Sequence, residues 1–160
     1  MTDSDLLPPS IDPKTKKIGI RRLTARNEAT ERTVIKVRDF EVVTDEPNAS
    51  NTAPTPLETV LAALAGCEGV IIHRCAAAMN FSYTALDMEC EGEIDQRGSR
   101  GVAGVRPYFN WVKIRIAVHS DESPERLEKL RKNVEFRCPV MNLLRGAGVE
   151  VTANWKLVAA

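Results

Sequence analysis

Three stretches of the chain alternate apolar and polar residues with a period of two, and one packs apolar residues together without alternation. Between Thr84 and Ile94, Leu86, Met88, Cys90 and Ile94 fall on one side and Asp87, Glu89, Glu91 and Glu93 on the other, which predicts a half-buried strand. Val112, Ile114, Ile116 and Val118, set against Lys113 and Arg115, predict its partner in a hairpin across the Gly-rich segment from Arg97 to Gly104. Val149, Val151, Ala153, Trp155 and Leu157 alternate with Glu150, Thr152, Asn154 and Lys156 and predict a closing strand. Two β-branched-rich runs, Ile18 to Ala25 and Thr33 to Val43, flank the polar segment from Arg26 to Arg32 and predict a first hairpin.

The unbroken apolar run belongs to a helix. Thr55-Pro56-Leu57-Glu58 supplies an N-cap hydroxyl, a proline at the first helical position and a glutamate at the third, the capping-box pattern, so a helix is expected from Pro56 to about Met79. Leu57, Val60, Leu61, Leu64, Val70, Ile71 and Ile72 leave it apolar on nearly every face, so other elements or a second subunit must enclose it. Ser123-Pro124-Glu125 opens a second helix with Leu127, Leu130 and Val134 on one face. Arg137-Cys138-Pro139 interrupts it, because the residue before a proline avoids helical angles, and Gly146 and Gly148 end its continuation. The expected order is ββαββαβ, an α+β fold with mostly antiparallel pairing around a buried central helix. Residues 1–16, with Pro8, Pro9 and Pro13, read as an N-terminal arm that is loosely held, and 17–160 as a single domain.

Composition narrows the classes of function. A chain of 160 residues with 43% apolar side chains can bury a substantial core. Lys plus Arg and Asp plus Glu each total 22, so nothing demands a phosphate-binding face, and no nucleic-acid partner is expected. The stretch from Met1 to Pro9 lacks a basic segment followed by an apolar one, so no secretory signal is expected and the compartment read is the reducing cytoplasm. Glu68, His73 and Arg74 interrupt the apolar run well before the roughly 20 residues of a membrane span, which reads as a core helix with no membrane partner. His73 and His119 are the only histidines, no zinc set assembles at usual spacings, and the Arg97–Gly104 segment is not a phosphate loop, so neither metal nor cofactor is expected.

Four cysteines remain, at 67, 75, 90 and 138, without the paired spacings of a zinc site or the density of a disulfide scaffold. Cys90 faces inward with Leu86 and Met88, and Cys75 lies on the apolar helix, so packing accounts for both. Cys67 sits in Ala62-Ala-Leu-Ala-Gly-Cys-Glu-Gly69, where small neighbours leave room for close approach, although a buried, inert thiol fits as well. A thiol with an ordinary pKa of about 8.5 is only about 3% thiolate at pH 7, so a reactive Cys67 needs a cation nearby. The helix dipole fades within the first turn and Cys67 is mid-helix, which directs attention to Arg21, Arg22, Arg26, Arg32 and Arg38, with Arg26, at the strand end, favoured. Cys138, followed by Pro139, occupies an N-cap where free amides favour a thiolate; a turn cysteine without chemistry is the alternative. Cys67 and Cys75, eight residues apart on one helix, stand about 12 Å apart and cannot pair.

Asp45-Glu-Pro47 together with Pro56-Leu-Glu-Thr-Val-Leu-Ala-Ala-Leu-Ala-Gly-Cys67 resembles the first cysteine motif of the OsmC and organic-hydroperoxide-resistance superfamily, and Arg137-Cys-Pro-Val140 resembles its second. Gly101–Phe109, Val149-Glu-Val151 and Trp155 extend the likeness from about Ile18 to Leu157. The resemblance implies an intertwined homodimer with two sites at the subunit interface. It further implies thiol-dependent reduction of organic hydroperoxides: Cys67 becomes a sulfenic acid, Cys138 condenses with it to a disulfide, and a dithiol reductant restores both. A thiol or persulfide carrier, or a dimer binding a small apolar ligand, is the alternative in the same cavity. In the best-characterised branch a glutamate at the position of Leu57 holds an arginine. Glu58 cannot replace it, since nine residues at about 100° each place Glu58 and Cys67 on opposite helix faces.

Overall fold

The structure, a computed structural model, describes residues 6–160. The chain divides into two compact units, Pro9–Val60 and Leu61–Ala160, the second of which also takes in the chain up to Pro8.

In the first unit the hairpin expected from the sequence is a three-stranded antiparallel meander, β1 (Thr24–Asn27), β2 (Thr33–Val37) and β3 (Phe40–Thr44). Val34 lies opposite Arg26 on one side and Val43 on the other. The apolar run from Thr33 to Val43 is thus two strands, folded at Arg38-Asp39, with Arg38 at φ 57° and its guanidinium 5.0 Å over the Phe40 ring. The Asn27 side chain closes the β1–β2 connection, donating to the carbonyls of Thr30 and Arg32 and accepting from the Thr30 amide.

The helix α1 (Pro56–Met79) opens with the expected capping box: the Thr55 amide donates to Glu58 Oε2 at 2.7 Å, and the Glu58 amide donates to Thr55 Oγ1 at 3.1 Å. Its end is a Schellman motif, with Asn80 at φ 51° and the amides of Phe81 and Asn80 bonded to the carbonyls of Ala76 and Ala77. The Arg126 guanidinium donates to the carbonyls of Met79 and Asn80, where a cation also offsets the negative end of the dipole.

The second unit has one sheet of β4 (Ala85–Glu93), β5 (Trp111–His119) and β6 (Glu150–Val158) in that order. The β4–β5 pair is antiparallel, as expected, with Cys90 opposite Ile114. β5 and β6 run parallel, which requires the crossover through α3 (Pro124–Arg137) and α4 (Pro139–Gly146). The inner face of the sheet, including Val112, Ile114, Ile116 and Val118, forms one core with Leu130, Val134 and Met141 of the two helices and with Leu64, Ile72, Cys75 and Ala76 of α1. The fold is α+β with mostly antiparallel pairing, as read from the sequence.

Several details depart from the pattern. The segment after β4 includes one short turn of helix, α2 (Gln96–Ser99), capped by Asp95, and Gly98 there packs so close to the Arg106 carbonyl that a Cβ would lie 2.4 Å from its oxygen. The arm is tied at Leu7, whose amide donates to Asn133 Oδ1 and whose carbonyl accepts from Arg137, both bonds at 2.7 Å. Although α1 is long and apolar enough to cross a membrane, the stripe Leu64, Glu68, Ile72, Cys75 and Ala76 is buried in the core, while Val70 is half exposed.

Candidate two-cysteine site

Cys67 and Cys138 come together within the second unit. Cys67 is partly buried at the middle of α1. Cys138 is fully buried at the joint where α3 stops and α4 starts, with φ −69° and ψ 112°. Pro139 enforces the joint: it excludes helical angles at Cys138, and its fixed φ suits the first position of α4. The Asn142 side chain holds it shut, donating to the carbonyls of Cys138 and Glu135. The Cys138 thiol faces Cys67 and Glu68, and all four cysteines are free thiols.

The sequence places Cys138 at an N-cap favouring a thiolate, and the structure reverses the balance. Burial, followed by the neighbouring Glu68 carboxylate, pushes the Cys138 thiol far above its ordinary range; the Met141 amide acts in the expected direction and is outweighed. Cys75 and Cys90 are also raised, chiefly by burial, which agrees with packing roles.

Glu68 is the residue the sequence reading passed over. It has no exposed surface, and both of its side-chain oxygens are buried without a well-formed hydrogen bond. Burial raises its carboxyl above the usual range; the Cys138 thiol pulls it back, Glu135 adds to the rise and Arg145 opposes it. The sequence did carry a signal, since a glutamate directly after Cys67 breaks an otherwise apolar run and α1 buries every fourth residue from Leu64 through Glu68 to Ile72.

Arg26 lies in the first unit, on β1, exposed and ion-paired with Glu28 at 2.9 Å. Glu58 is committed to the capping box, and its bonds to Thr55 hold its carboxyl below the ordinary range.

A long helix that brings one free thiol up to a second at a Cys-Pro helix joint defines a two-thiol α+β protein. The chain belongs to the OsmC-like protein family, whose pattern it matches over residues 48–154. No curated protein matches it. Among solved structures it is similar to an OsmC-like protein from Mycoplasma pneumoniae, at 24% identity and a TM-score of 0.76 over 88% of this chain and 98% of that one. It is also similar to the organic hydroperoxide resistance protein OhrB of Bacillus subtilis, at 22% identity and a TM-score of 0.63 over 86% and 98%. A Legionella pneumophila protein described as an organic hydroperoxide resistance protein OsmC gives 18% identity and a TM-score of 0.65 over 88% and 99%.

Proposed function

We propose that this chain is a thiol-dependent peroxidase for organic hydroperoxides, working in the cytoplasm as a homodimer. The observation that carries the reading is the meeting of the Cys138 thiol with Cys67, both reduced. The Cys67 thiolate attacks the distal oxygen of the hydroperoxide, the O–O bond breaks, and one proton completes the alcohol: thiolate, ROOH and H⁺ give Cys67–SOH and ROH. Cys138 then displaces hydroxide from that sulfur, which leaves the Cys67–Cys138 disulfide and one water. A dithiol reductant takes up the oxidation as its own disulfide and returns both thiols.

The Cys67 thiolate needs a cation beside it, and Arg26 is the candidate the sequence offers for that task. Dimer formation is supported by the half-exposed Val70 on an apolar helix, which a second copy would cover.

The test is consumption of cumene hydroperoxide in the presence of a dithiol. Wild-type protein is expected to turn over, and Cys67→Ser to fall to the background rate; equal rates for the two would refute the proposal. Persulfide retained on Cys67 by intact mass, with peroxide untouched, would select the carrier reading.

A further inference from the structure

The mechanism above leaves one group unused. Glu68 is a fully buried carboxyl whose two oxygens lack well-formed hydrogen bonds, yet burying such a group without partners is among the costlier things a fold can do. A packing role would be met better by a methionine or leucine, and a hydrogen-bonding role would show its bonds. What Glu68 does have is a place against the Cys138 thiol, on the residue adjacent to Cys67.

The second step of the proposed reaction needs a group at that spot. Cys138 reacts as a thiolate, but its sulfur is buried and held protonated by its surroundings. Its proton must leave as the sulfur attacks, and the departing oxygen must gain one. We propose that Glu68 is the general base and acid of disulfide formation: its carboxylate takes the Cys138 proton as that sulfur bonds to Cys67, and passes the proton to the hydroxide leaving Cys67. The balance is Cys138–SH plus Cys67–SOH to disulfide plus water, with Glu68 unchanged after the cycle. The role rests on the two-cysteine reading above.

The groups around Glu68 suit this. From α3, Glu135 repels its charge, but Arg131 at 2.7 Å and Arg145 at 2.8 Å engage Glu135. From α4, Arg145 attracts it. Cys67 and Cys75 of α1, Cys90 of β4 and Cys138 at the joint are the thiols near it. A carboxyl raised by burial lies closer in proton affinity to a thiol than an exposed one does, which improves transfer between them.

The experiment needs no peroxide. The reduced full-length chain is mixed with the aromatic disulfide dithiobis(nitrobenzoate), which releases one coloured thiolate on labelling Cys67 and a second when Cys138 closes onto it; a Cys138→Ser variant defines the first release alone. Glu68→Gln is expected to slow the second release about 100-fold at neutral pH, within the usual contribution of a positioned acid–base group, and to leave the first unchanged. That deficit should shrink as the pH rises and hydroxide replaces the lost base, and Glu68→Asp should restore part of the rate. Closure by Glu68→Gln at the wild-type rate overturns the proposal. So does an equal fall of both releases in the Gln and Asp variants, which would mark Glu68 as structural. If wild-type protein closes normally here but ignores cumene hydroperoxide, the peroxidase reading fails and the role of Glu68 stands.

Discussion

The loop after β3 and the middle of α1 each bury a carboxylate completely, and the two are treated in opposite ways. Asp45, at the end of β3, accepts hydrogen bonds from the amides of Glu46 and Thr52 and from the hydroxyls of Ser50 and Thr52. Those bonds, led by Ser50, hold its carboxyl well below the ordinary range. Glu68 has no such donors, and its carboxyl is raised. Burial is common to both, so hydrogen bonding decides the sign. Asp45 closes a loop, and its charge is used up in doing so. Glu68 retains unspent capacity to hold or release a proton, which a reaction can use and a packing role cannot.

The largest test of this contrast exchanges each acid for an apolar residue. Asp45→Leu strips four donors of their acceptor and is expected to open the 45–54 loop, read as loss of amide hydrogen-exchange protection at Glu46 and Thr52 and a clear drop in melting temperature. Glu68→Met removes an acid without well-formed bonds and keeps the volume, so stability should hold or rise by about 1–3 kcal/mol in denaturant titration, while closure of the disulfide is lost. A marked loss of stability in Glu68→Met would mean that hidden bonds hold this acid as well.

pH separates the two next, with opposite signs. The folded chain holds Asp45 below its ordinary 3.8, so its contribution is present above that value and is lost as the pH falls from 3.8 through the lowered one. Glu68 is held above its ordinary 4.5, so the folded state binds the proton more tightly than the unfolded chain and stability is lost as the pH rises from 4.5 through the raised value. Melting curves from pH 2 to 8 should therefore show the gap between Asp45→Asn and wild type narrowing below pH 3.8, toward the acid end. Glu68→Gln should converge on wild type there as well and exceed it at neutral pH. Parallel curves for either variant would contradict the shift assigned to that acid.

The smallest effect concerns the acid that the capping box consumes. Thr55→Ala should cost about 1 kcal/mol, the usual worth of an N-cap hydroxyl, with no change in disulfide closure, measured by thermal melting and by the same release assay.

How far the sequence reached follows the same physics. The strands at 84–94 and 112–118, the last strand and both ends of α1 were legible because period and capping are local. The turn at Arg38-Asp39 was not, since an arginine takes the positive φ where a glycine or asparagine would have marked it. Cys67 and Cys138 were legible as a pair only through the family resemblance. The state of Cys138 was misread because the N-cap amides are visible in sequence, whereas burial and a carboxyl 70 residues earlier are not. Asp45 was visible only as one residue of the Asp45-Glu-Pro47 run, since its donors arrive with the folding of the loop.

The tie at Leu7 bears on how the protein is made. Its two partners, Asn133 and Arg137, lie 126 and 130 residues further along the chain. At roughly 5–20 residues per second, synthesis leaves Leu7 waiting on the order of 6–26 seconds before either partner exists. Arg137 directly precedes Cys138, so the segment that receives the start of the chain is the one that delivers the second thiol. The nascent protein therefore carries Cys67 through the synthesis of the next 71 residues before its partner sulfur exists and before the unit around it is finished.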